Sequence, residues 1–107
     1  MKNPNIIELL SKLVEIPSIS SLDKNQKDVL DSANYIADLF KELGLNSKVT
    51  SSKNSKPAVL AHTEIDPSKK TVLLYAHHDV QPVGDINKWE TDPFKPEIIE
   101  ERLFARG

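Results

Sequence analysis

No cysteine occurs among the 107 residues, so the chain can hold neither a disulfide framework nor a thiolate metal site. It lacks an excess of either charge: 14 Lys and Arg stand against 16 Asp and Glu, for a net charge of −2. The two signs are interspersed, and no basic stripe offers the electrostatic footprint of a nucleic-acid binder. Long apolar runs are missing too. None approaches the length needed to span a bilayer, and the N-terminus carries one lysine but no apolar h-region. Internal repeats and low-complexity tracts are likewise absent. The expectation is a soluble, cytoplasmic protein with no nucleic-acid or membrane partner.

What is present is ordinary in bulk and specific in places. Hydrophobic residues make up 38% and charged residues 28%, values of a globular chain rather than a disordered one. Asn3-Pro4 has the form of a helix cap followed by proline at the first helical position. Ile6, Ile7, Leu10, Leu13 and Val14 then recur at helical spacing until Pro17 stops the run. A second helix is predicted after a polar stretch, with Val29, Ala33, Ile36, Ala37 and Phe40 as its stripe and Gly44 as its stop.

After Leu45 the period changes. Ser47 to Ser51 reads as a polar edge strand and Pro57 to Glu64 as a second strand, with a tight turn over Asp66 to Lys70. Thr71 to Ala76 is apolar on both faces, which predicts a central strand with Leu73 and Leu74 buried on opposite sides. Gly84 to Pro96 reads as a long loop and Glu97 to Arg106 as a further hairpin. Two helices preceding a mixed sheet indicate an α/β layered domain. The helices offer more apolar surface than one central strand can cover, and the chain stops on the turn-like Ala105-Arg106-Gly107. Residues 1–107 are therefore expected to be the N-terminal portion of a larger, incomplete domain.

The apolar run ends in "AHHDVQP", residues 76–82. Side chains alternate along a strand, so His77 and Asp79 share one side and His78 points away. In open α/β sheets ligands bind at the C-terminal strand edge. A metal-bound imidazole commonly gives its second N–H to a carboxylate, so the pair has the chemistry of a ligand and its orienter. A polar strand end with His78 and Asp79 capping the turn would present the same letters. His62 stands apart on the preceding strand, and Glu97, Glu100 and Glu101 read as a solvated edge.

The segment "YAHHDVQPVGDINKWETDPFKPEIIEERLFARG" resembles an ordered set of motifs: Tyr-Gly-His-Tyr-Asp-Val-Gln-Pro, then Trp-x-x-Asp-Pro-Phe-x-Pro, then Leu-Tyr-Gly-Arg-Gly. These belong to the zinc-dependent exopeptidase and amidohydrolase family of carboxypeptidase G, acetylornithine deacetylase and succinyl-diaminopimelate desuccinylase. The likeness is closest to its carnosinase-like dipeptidase branch, and "LVEIPSIS", residues 13–20, resembles the family's N-terminal signature.

The resemblance implies the first part of a three-layer α/β/α catalytic domain. It implies His77 as a ligand to one of two zinc ions, with Co²⁺ or Mn²⁺ as alternative metals, and Asp79 as the catalytic-site carboxylate that orients it. Trp89, Asp92 and Phe94 match a loop that shapes the site, and His78, which replaces an aromatic residue, stands beside it. Ala76, Ala105 and Glu101 occupy positions where the family has glycine. The bridging aspartate and paired glutamates of the family would fall past Gly107. The implied full-length protein cleaves dipeptides or N-acyl amino acids, as a homodimer, while the segment alone is inactive. A non-catalytic half-fold used for binding or assembly is the alternative.

Overall fold

The computed structural model describes residues 5–107. The expected Asn3-Pro4 cap lies outside the described residues, and the cap observed is Asn5. Its side-chain oxygen accepts from the backbone N–H of Ile7 at 3.1 Å and of Glu8 at 3.4 Å, satisfying donors that a helix start leaves orphaned. Helix α1 runs Ile6–Val14. Of its apolar stripe only Val14 is buried, and Ile6, Ile7 and Leu10 face solvent. Gly107 rests against that buried end, where an added Cβ would come within 2.8 Å of Val14 Cγ1.

A short 3₁₀ turn, Asp23–Asn25, leads into α2, Gln26–Glu42. Val29, Ala33 and Ala37 on its predicted stripe are buried, with Ile36 and Phe40 half-buried. Gly44 ends it with φ +82°, the left-handed turn that glycine adopts without a Cβ penalty. Helix α2 packs on an antiparallel hairpin of β1, Asn46–Thr50, and β2, Ala58–His62. Val49 pairs with Val59 and Ser47 with Ala61, and these four form the half-buried face. The alternate face, including Leu60, is open. A second hairpin joins β3, Glu97–Ile99, to β4, Arg102–Phe104, through Glu100 and Glu101.

The expected mixed sheet does not form among the described residues. The strands make two separate antiparallel pairs, and the parallel contact is one bridge between Ile19 and Val80. Thr71 to Ala76 is not a strand here: it runs without ladder partners, and Leu73 and Leu74 are 89% and 88% exposed rather than buried. The reason is that a strand is defined by its neighbours. No described segment lies alongside this one to accept its N–H groups or cover its side chains. The radius of gyration, 16.0 Å, exceeds the roughly 13 Å of a compact domain of about this size, in keeping with a small core of Val14, Ile19 and the α2 residues Val29, Ala33 and Ala37. Among the described residues no helix is long and apolar enough to cross a membrane.

Candidate metal centre

The N-terminal signature and the His-x-Asp segment meet across the chain. Between them the Val80 N–H donates to the Ser18 carbonyl at 3.0 Å, and the Ser18 hydroxyl donates to the His78 carbonyl at 3.0 Å. Ser18 and Ile19 are buried by this clasp. It holds residues 78–80 against the turn that follows α1, and so fixes the backbone from which His77 and Asp79 project.

The side chains of His77 and Asp79 meet although this run is not a ladder strand. The His77 Nδ1 is 3.0 Å from the Asp79 carbonyl oxygen and 3.2 Å from Asp79 Oδ1. Both oxygens can only accept, so in the neutral ring Nδ1 carries the proton and Nε2 is left bare. The imidazole is largely exposed. A neutral ring held by its Nδ1–H with its Nε2 open to solvent is a fitting donor for a divalent metal ion. The other carboxylate oxygen, Oδ2, accepts from the Ser20 hydroxyl at 2.5 Å. That bond, before any other cause, holds the Asp79 carboxyl below the ordinary carboxylate range. Partial burial works in the opposite direction, and the His77 N–H adds a smaller lowering.

His78 faces α2 instead. Its Nδ1 lies 3.1 Å from the Ser32 hydroxyl and its Nε2 lies 3.2 Å from the Pro57 carbonyl. Trp89 is held within its own loop, its indole N–H donating to the Val83 carbonyl at 2.9 Å. Asp92 caps the next turn, its Oδ1 accepting from the Phe94 N–H at 2.9 Å. Phe94 lines a shallow cleft with Pro17, Ile19, Leu22 and Val83, so the loop reaches the N-terminal signature. Arg106 closes the loop by donating its Nε–H to the Gln81 carbonyl at 2.9 Å.

His62 is exposed, its Nδ1 2.8 Å from the Thr63 carbonyl. Glu97, Glu100 and Glu101 are exposed as well. Among the described residues no three His, Cys, Asp or Glu side chains converge as a metal-holding group. His77 therefore offers one ligand, with its orienting carboxylate in place. Sequence reasoning missed Ser18 and Ser20, although both lie within the signature "LVEIPSIS". Two hydroxyls in a matched motif were the available signal.

No protein-family model matches the chain. It is 36% identical over 118 residues to the Cys-Gly metallodipeptidase of Candida albicans, covering 97% of this chain and 24% of that protein. It is 30% identical over 106 residues to the succinyl-diaminopimelate desuccinylase of Shewanella piezotolerans, covering 98% and 25% respectively. Among solved structures, human carnosine dipeptidase 1 superposes with a TM-score of 0.85 at 27% identity, over 94% of this chain and 24% of that one. The chain thus spans about a quarter of the length of the curated relatives it matches.

Proposed function

The chain belongs to the metallopeptidase family of the Cys-Gly dipeptidases and succinyl-diaminopimelate desuccinylases, and we propose that it contributes the first metal ligand of a two-zinc amide hydrolase. In this reading residues 1–107 are the N-terminal portion of a three-layer α/β/α catalytic domain. His77 binds one zinc ion through Nε2, and Asp79 holds the ring in the ligating tautomer. The remaining ligands and the general base lie in polypeptide outside this segment. The substrate is a dipeptide or an N-acyl amino acid, and the enzyme works in the cytoplasm as a homodimer.

The observation that carries the reading is the pinned imidazole: Nδ1–H on two Asp79 oxygens, Nε2 free and exposed. Zinc, when bound, lowers the pKa of a water molecule and polarises the scissile carbonyl. This chain's residues do the rest of what is local. Asp79 keeps the His77 proton at Nδ1 and turns the ring, Ser20 supports the carboxylate, and the clasp with Ser18 fixes the backbone beneath them. The open apolar run Val72 to Tyr75 supports a central-strand position once neighbouring strands are supplied.

Dipeptide hydrolysis with added Zn²⁺ tests the proposal in the complete polypeptide carrying this segment, with the 107-residue chain in parallel. The complete protein turns over, and His77→Ala abolishes turnover and weakens zinc binding. Asp79→Asn loses about 10–100-fold in metal affinity or activity. A single imidazole is far from the three or four ligands of a stable zinc site, so the short chain binds zinc weakly and hydrolyses nothing. Full activity of His77→Ala would sink the assignment.

A further inference from the structure

Asp79 uses its two carboxylate oxygens on two different partners. Oδ1 meets His77 Nδ1 at 3.2 Å, and Oδ2 takes the Ser20 hydroxyl at 2.5 Å. Asp79 is only partly buried, so little packing restrains rotation of its carboxylate about the Cβ–Cγ bond. Two directional contacts stop that rotation, the His77 N–H on Oδ1 and the Ser20 hydroxyl on Oδ2, and only the hydroxyl comes from a separate segment of the chain. Ser20 is itself held on both sides: its carbonyl accepts from the Gln26 amide at 3.1 Å, and the adjacent Ile19 forms the bridge to Val80. The hydroxyl is thus delivered by a constrained backbone to one oxygen, leaving the other oxygen aimed at the ring.

We propose that Ser20 is a positioning residue for the metal ligand, acting through Asp79 to fix the orientation and tautomer of His77. This rests on the reading of His77 as a ligand, and it assigns the N-terminal signature a part in the site. Without the hydroxyl, the carboxylate rotates and His77 keeps only the Asp79 carbonyl as a fixed partner. The bare nitrogen is then no longer held at Nε2 in one orientation.

The test uses Ser20→Ala, with Ser20→Thr and Ser20→Val as a pair of nearly equal volume that differ in the hydroxyl. Circular dichroism and thermal unfolding establish which variants fold, and the Thr and Val contrast decides the matter if the alanine variant does not. Two readouts follow in the complete protein: long-range ¹H–¹⁵N spectra of the His77 ring without metal, and zinc affinity by competition with a chelator. The expected result is parent-like spectra and affinity for Thr. Ala and Val show a mixed His77 tautomer and about tenfold weaker zinc binding, the low end of losses from removing an outer hydrogen-bond partner. Unchanged tautomer and affinity in Val or Ala overturns the proposal for Ser20 while leaving His77 standing, provided His77→Ala still weakens zinc binding. If His77→Ala leaves zinc binding untouched, the ligand reading itself fails, and Ser20 with it.

Discussion

His78 bonds through Nδ1 to the Ser32 hydroxyl at 3.1 Å, so the residue between His77 and Asp79 is tied to the buried centre of α2. The second ring nitrogen must donate to the Pro57 carbonyl at 3.2 Å, since a carbonyl only accepts. In the neutral ring Nδ1 then accepts from Ser32. The backbone carrying the candidate ligand is therefore anchored from behind to both the helix and the entrance of β2. His78→Ala leaves the fully buried Ser32 hydroxyl and the Pro57 carbonyl without this partner. The expected loss is about 1–3 kcal/mol, read by urea unfolding. Ser32→Ala costs about 1 kcal/mol, because the Pro57 bond survives. A double-mutant cycle should show the two effects coupled.

Acid should weaken the Asp79 arrangement. The folded carboxyl is held below its ordinary value of 3.8, chiefly by the Ser20 hydroxyl. A depressed folded pKa contributes stability that is fully present above the unfolded value and lost as pH falls through the folded one. Urea stability of the metal-free protein should therefore decline below about pH 4, and the decline should be shallower in Asp79→Asn and in Ser20→Ala. Asp66 shifts in the same direction through its bonds from Ser68, so a residual slope remains in both variants. Identical acid profiles for parent and Asp79→Asn would contradict this account.

The hairpin between β3 and β4 turns on two residues of left-handed backbone, Glu100 at φ 47° and Glu101 at φ 62°. A two-residue turn with both central φ values positive favours Asn or Gly, and each side chain here carries the Cβ penalty. Glu101→Gly should stabilise the hairpin by about 1 kcal/mol, seen as slower amide exchange at Ile99 and Phe104. Glu101→Val, β-branched and unsuited to that backbone, should have the opposite effect.

Leu73 and Leu74 are exposed in the 107-residue chain, so replacing either with alanine there should change stability by less than about 0.5 kcal/mol. In a complete domain that covers this run, the same substitutions should cost roughly 2–5 kcal/mol through cavities. The short chain should also associate with increasing concentration, because an apolar run with unpaired backbone groups invites pairing. Sedimentation velocity across a concentration series measures it. A strict monomer throughout would show that the run is protected in some other way.

The contrast between α2 and the run after it shows what a sequence can carry. Val29, Ala33 and Ala37 are legible because helical periodicity is local, and the same three side chains are buried. The β1–β2 hairpin and the Glu97 to Arg106 hairpin are legible for a similar reason: strand and partner are close in sequence. Whether Leu73 and Leu74 are covered depends on strands that are not local to them, and apolar letters cannot supply those. At the site, the i, i+2 spacing of His77 and Asp79 is legible, and the two side chains meet even without a strand ladder. The Ser20–Asp79 bond, between residues 59 apart, has no local pattern to announce it. His78 shows the same limit: nothing near it in sequence points to Ser32, 46 residues away.

The bridge from Ile19 to Val80 closes a loop that contains α2 and both strands of the first hairpin. Closing a loop costs entropy that grows with its flexible length, by about 0.6 kcal/mol for each doubling. An unfolded span between these residues is long, but once α2 and β1–β2 are formed most of it is rigid. The cheapest route is therefore to build the helix and hairpin first and shut the loop last. Contacts across the bridge should then be absent from the folding transition state. Ser20→Ala should speed unfolding while hardly changing the folding rate, with a φ-value near zero, whereas Ala33→Gly in α2 should slow folding.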